Sequence, residues 1–267
     1  MEEKSKKESE AFKALNKGKY LEAENLLREI ISDGSNNYAV YGSLAFLSGK
    51  RGNMSEMVEY LMHSTKLNPK YAEGHFNLGI IYLKKGNLNN AIDSFLKTLK
   101  IRPKDSNALN MLGVAFLKKG SIKSSISWYL KAIELNPHNQ KIHNNLAIAY
   151  SKSGDLEGAL STYLKSLKID SNNFSTLFNL GKIYQQKGDL ENALITFKKI
   201  LKLKNANSLD LVFNEIGITL QKKEDFHSAI QAYLKAIKIN QKLIKSYNNL
   251  GYAQFQIEDL IPQPQVF

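Results

Sequence analysis

A primary carboxamide donates and accepts hydrogen bonds from one side chain, and this chain sets such groups at a fixed interval. Asn110 and Asn144 stand 34 residues apart, as do Asn145 and Asn179, while Asn77 lies two such intervals before Asn145. Asn214 and Asn249 continue the series with small offsets. A row of amides matches the alternating N–H and C=O groups of an extended peptide backbone. Asparagine is a weak helix former, so its recurrence inside helical sequence calls for some other role. Cations stand beside the row, with Lys182 and Lys141 within it and Lys118 and Lys152 at its edge. The chemistry this points to is capture without covalent change.

Catalytic readings fare worse. The chain has no cysteine, which excludes disulfides, thiolate metal sites and a cysteine nucleophile together. His75 and His143 share a large-residue position and read as packing groups. His138 with His143 lacks a carboxylate partner at metal-binding spacing. Ser48-Gly49-Lys50 resembles the end of a phosphate loop, but Arg51 stands where Ser or Thr is needed. No serine elbow, metalloprotease helix or dinucleotide fingerprint is present. Neither an enzyme nor a cofactor is expected.

The elements that must carry the amides follow from the same 34-residue period. Ala45, Gly79, Gly113, Ala147 and Gly181 recur at that interval. Twelve residues after the small residue come Ala91, Ser125, Ala159 and Ala193, and four later Phe95, Tyr129, Tyr163 and Phe197. In the stretch Ala72 to Asp105, His75, Leu78, Gly79 and Tyr82 form one helical stripe. Gly86 suits the left-handed residue that ends a helix, and Asn87 can cap the next. Ala91, Phe95, Thr98 and Leu99 form the second stripe, closed by Pro103. The stop-and-cap pair repeats at Gly52-Asn53, Gly120-Ser121, Gly154-Asp155 and Gly188-Asp189. Gly79 weakens an isolated helix by roughly 1 kcal/mol against alanine, so close packing must justify it.

The grammar Leu-Gly-x-x-aromatic, then Ala or Ser, an aromatic four on, and Pro, resembles the tetratricopeptide repeat. The resemblance implies an all-α, right-handed α-solenoid of stacked antiparallel helix pairs, with residues 1–267 forming a single array. Repeats are placed at 4–37, 38–71, 72–105, 106–139, 140–173, 174–207 and 210–243, with a partial one at 244–267. The first helices should line a concave face through positions two, five, six, nine, twelve and thirteen. Positions five and six hold asparagine at eight of sixteen places, while 26 asparagines in 267 residues would supply one or two by chance. The row is similar to the asparagine ladder of O-linked N-acetylglucosamine transferase repeats, carried here by Asn77, Asn145, Asn179 and Asn249. Met111 and Glu215 interrupt it. The competing account is that these amides bridge neighbouring repeats and bind nothing.

Charge and ends complete the reading. The net charge of +12 comes from 37 Lys and Arg against 25 Asp and Glu. Most of the excess falls in last turns, such as Lys84-Lys85 and Lys199 with Lys202, where cations offset the helix dipole. Aromatics occupy buried positions rather than standing among the bases, which argues against nucleic-acid binding. Apolar runs are too short to cross a bilayer and Met1 to Glu10 resembles no signal peptide, so a cytoplasmic protein is expected. The first repeat reads as a cap, frayed before Ser9. At the other end Pro262 and Pro264 stop a second helix, leaving the helix of 246–257 to be covered by the tail or by self-association. The expected function is a scaffold or adaptor whose groove holds an extended, neutral-to-acidic peptide or partner protein. The alternative is the substrate-recruiting arm of a longer transferase.

Overall fold

The structure, a computed structural model, describes residues 2–204 and 208–259. Among these the regular structure is entirely helical. Two compact units divide the chain at residue 137. The N-terminal unit holds α1 (Glu2–Asn16), α2 (Tyr20–Ser32), α3 (Tyr38–Lys50), α4 (Met54–Leu67), α5 (Ala72–Lys84), α6 (Leu88–Ile101), α7 (Ser106–Lys118) and α8 (Ile122–Leu135). The C-terminal unit holds α9 (Gln140–Ser153), α10 (Leu156–Ile169), α11 (Phe174–Lys187), α12 (Leu190–Leu201), α13 (Leu209–Lys222), α14 (Phe226–Ile239) and α15 (Ile244–Asp259). Odd-numbered helices are the first of each pair and even-numbered ones the second. Within each unit a helix packs on its hairpin partner and on the helix that follows in chain order.

The small residue of the repeat is explained by a ring. A Cβ built on Gly79 would stand 2.6 Å from Phe95, on Gly113 2.6 Å from Tyr129, on Gly181 2.5 Å from Phe197, and on Gly217 2.4 Å from Tyr233. All four rings are fully buried. Each lies flush on the backbone of the partner helix, so the hairpin closes around a contact that no side chain could share. Burying such a side chain contributes about 1.5–3 kcal/mol, more than the roughly 1 kcal/mol lost in helix propensity. Where the small residue is Ala45, the side chain at the aromatic position is Leu61, and both are buried.

Helix ends follow the expected punctuation with two departures. Gly154 and Gly188 adopt left-handed φ of 86° and 78°, and the next residue's N–H returns to the last turn, as Asp155 to Tyr150 O at 3.0 Å. Asn53, Asn87, Asp155 and Asp189 each accept from a backbone N–H three residues on. Ser121 makes no such bond, and in the seventh repeat Glu224, not glycine, takes the left-handed turn at φ 62°. The lysines that end first helices also reach backwards. Lys187 pairs with Glu157, Lys223 with Glu191, and Lys119 donates to Asn89 at 2.8 Å.

The N-terminal cap differs from the expectation. Helix α1 starts at Glu2, so helix extends over the residues before Ser9. Its polar residues are paired: Lys7 with Glu29 at 2.7 Å, and Glu8 accepting from Asn37 Nδ2 at 2.8 Å. Behind it a charged cluster ties three helices. Arg28 bridges Glu24 at 2.8 Å and Glu56 at 2.5 Å, Arg51 reaches the same two carboxylates, and Ser48 donates to Glu56 at 2.8 Å. Arg28, foremost, holds the Glu56 carboxyl below its ordinary value. Burial pushes Glu24 up, but Arg51 and Arg28 outweigh it and the net shift is downward. At the far end Tyr252 and Phe255 of α15 are exposed. The tail assigned to cover them, residues 261–267, lies outside the described residues.

Two outcomes are expected. Gly79→Ala should destabilise the protein by about 1–3 kcal/mol in urea titration, against the sign of helix propensity, because Phe95 must move. A folded carboxyl below its unfolded value stabilises above the unfolded pKa, near 4.3, and that stabilisation fades as pH falls through the folded value. Glu56→Gln should therefore lower Tm at pH 7, and the gap from the parent should close towards pH 3.

Candidate functional site

The amide row divides in two when placed on the helices. Position five of the repeat turns towards the next repeat. Asn144 Oδ1 accepts from Ser166 Oγ at 2.7 Å and from Thr176 Oγ1 at 2.9 Å, joining α9 to α10 and α11. Asn214 Oδ1 accepts from Ser246 Oγ at 2.9 Å and Asn249 Nδ2 at 3.2 Å, joining α13 to α15. Asn110 and Asn214 are 4% and 5% exposed, which corrects their assignment to an open groove. A polar group inside a helix stack is tolerated when it is bonded, and the bonds of Asn144 and Asn214 link one repeat to the next. At Asn144 and Asn214, position five bridges to the next repeat.

Position six is different. Asn77 of α5, and Asn145 and Asn179 of α9 and α11, are half-buried. Asn249 shares that position but has already given one amide hydrogen to Asn214. Lys182 is exposed one turn after Asn179, and Lys118 and Lys152 are exposed at the ends of their helices. Gln185, assigned to the same face, is 7% exposed and clamps α13 instead, donating to Glu215 O at 3.0 Å and Thr219 Oγ1 at 2.7 Å.

Glu215 takes position six in α13. Burial pushes its carboxyl above the ordinary value, opposed by Lys182, Gln185, Lys222 and Lys245. It is the one carboxylate among the position-six residues of the described C-terminal repeats, which otherwise carry Asn145, Asn179 and Asn249. A neutral amide there would escape the desolvation that Glu215 bears.

In the N-terminal unit the first helices enclose space. A cavity of about 710 Å³ opens on α3 and α5, lined by Gly42, Phe46 and Lys50 of α3 and by Glu73, Asn77 and Lys84 of α5. These are positions two, five, six, nine and thirteen of their repeats. Phe46 is 48% exposed, a large apolar surface left beside a polar rim. Lys50 Nζ stands 4.5 Å from the Tyr20 ring centroid and 5.5 Å from that of Phe46, and Tyr38 packs on Tyr71 at 5.1 Å. Sequence reasoning missed this aromatic wall. Its signal was Gly42 and Gly49, two glycines one helical face apart inside α3. A Cβ at Gly42 would meet the Tyr71 hydroxyl at 3.0 Å, and one at Gly49 the Met57 sulfur at 2.9 Å.

His75 and His143, read as packing groups, are both buried, whereas His138 is exposed. His75 is 8% exposed, with Nε2 3.1 Å from Pro69 O. No helix among the described residues is long and apolar enough to cross a membrane.

Comparison with known proteins places this geometry. A family model described as TPR repeat matches residues 115–154, 149–188 and 217–257. Two described as tetratricopeptide repeat match 72–105, and 38–71 with 174–207. No curated protein matches the chain. Among solved structures, the C-terminal part of a TPR repeat-containing protein from Cytophaga hutchinsonii is 16% identical with a TM-score of 0.73, the alignment covering 91% of this chain and 98% of that one. PilF of Pseudomonas aeruginosa is 17% identical over 83% of this chain and 97% of its own, with a TM-score of 0.65. YrrB, described as a TPR protein with an unusual peptide-binding site, is 19% identical over 72% and 97%, with a TM-score of 0.58. At these identities the likeness is one of fold. The repeat models together take in well over half of the sequence, and the chain belongs to the tetratricopeptide repeat family.

Proposed function

We propose that this protein is a scaffold or adaptor that holds an extended segment of a partner protein along the exposed faces of its first helices. The observation that carries the reading is the cavity on α3 and α5, whose lining comes from the repeat positions that also present Asn77, Asn145 and Asn179. A carboxamide on such a face offers both a donor and an acceptor to a peptide bond. Phe46 and the Tyr38–Tyr71 pair offer an apolar seat for one side chain of the guest. Lys50 and Lys84 against Glu73 leave the rim with one net positive charge, and in the C-terminal unit Lys182 follows Asn179 by one turn. Both features favour a neutral-to-acidic guest. Family membership supports the reading, as does a peptide-binding site described for YrrB on the same fold.

The test is capture of fluorescent extended peptides from a mixed-sequence library, read by anisotropy. Asn145→Ala with Asn179→Ala should weaken the best binders roughly tenfold or more, at about 1 kcal/mol per lost hydrogen bond, with helicity and Tm unaltered. Phe46→Ala should remove the preference for a bulky side chain. Equal binding by parent and double variant would dispose of the amide face as the seat.

A further inference from the structure

A further cavity lies away from the first-helix face. It measures about 920 Å³ and runs between the second helices α4 and α6, with α5 as its floor. The cause is one residue. The repeat position that holds Tyr60 in α4 and Trp128 in α8 holds Ser94 in α6. Tyr60 packs against the core between α2 and α4, and its hydroxyl accepts from Arg28 at 3.1 Å. Trp128 packs on the α6–α7 core and is steadied by Lys131 at 4.4 Å. Ser94 fills nothing, and its hydroxyl is spent on Asn90 O at 2.7 Å. The channel therefore opens where its neighbours are plugged.

Its chemistry is two-sided. Leu78 and Tyr82 form the floor, and Met62, 53% exposed, stands on the wall. Four lysines gather where α4 and α6 end: Lys66, Lys70, Lys97 and Lys100. Asp93 is the one carboxylate in the lining, paired with Lys97 at 2.7 Å, so the lining carries three net positive charges. Lys66, Lys70 and Lys100 have no ion-pair partner among the described residues. From Asn90 to Ile101 the wall takes in twelve residues, about 16 Å or three helical turns.

We infer that this channel is a second docking site, and that its occupant is an acidic amphipathic helix of a partner protein. A helix lying between α4 and α6 sets one apolar stripe on Leu78 and Tyr82, with a large side chain in the space over Ser94. Carboxylates in one end turn meet the unpaired lysines. A guest in extended conformation would present side chains alternately to both faces and leave the apolar floor half used.

The probe is a fluorescein-labelled fourteen-residue helical peptide with leucines on one stripe and three glutamates in its first turn. Its control carries lysines instead. Wild type is expected to bind the acidic peptide saturably and the basic one at least tenfold more weakly. Ser94→Trp places in α6 the side chain α8 already accommodates, and should abolish binding while the circular dichroism melt stays cooperative. Lys66→Glu with Lys100→Glu carries the test if Ser94→Trp misfolds, and should weaken binding at least tenfold. Asn145→Ala with Asn179→Ala should leave it unchanged, which separates this channel from the amide face. Undiminished binding by either channel variant overturns the inference. So does saturable binding of laurate with none of the acidic peptide, which would make the channel a site for a small amphiphile.

Discussion

Phe95, Tyr129, Phe197 and Tyr233 each rest on a glycine of the partner helix, and the rest of the structure depends on that contact. It sets how near the two helices of a hairpin approach. That spacing then decides which side chains of the first helix point at the next repeat and which stay on the open face. Because the contact is internal to one hairpin, stability is assembled repeat by repeat and needs no central core. Residues on the open face are thereby released from the task of holding the fold together.

This division of labour explains what the sequence showed plainly. The helix pairs were legible because each repeat writes the same constraint in several ways: a small residue, a ring sixteen positions on, a glycine stop and a polar cap. Local propensity and packing agree at each of them. The extent of α1 was not legible. Lys7 and Glu8 looked like solvent-facing breaks in the apolar pattern, and only in three dimensions do they meet Glu29 and Asn37. Period alone records where a side chain sits on a helix and says nothing of a polar partner some 22 to 29 residues away.

The amide row shows the same boundary more sharply. Positions five and six are neighbours in the chain but about 100° apart on a helix, so one can face a neighbouring helix while the other faces outward. Asn144 and Asn145 are adjacent in sequence and equally half-buried, and the first ties α9 to Thr176. The bridging account is met at Asn144 and Asn214. The aromatic wall at Phe46 escaped notice because it is made by what α3 lacks. Gly42 and Gly49 leave the backbone bare, and Tyr71 and Met57 close on it where Cβ atoms would have stood. The channel over Ser94 arises by the same kind of omission on the opposite helices.

One turn stands apart from the other helix stops. Between α13 and α14 the left-handed position belongs to Glu224, whose side chain makes that backbone cost roughly 1 kcal/mol more than glycine would. Every other first helix from α3 to α11 is ended by a glycine able to adopt that geometry freely. Amide hydrogens around this corner should accordingly exchange with solvent sooner than those at Gly154 or Gly188, and a probing protease would find its first foothold there. The seventh repeat is thus the place where opening of the C-terminal unit is expected to start.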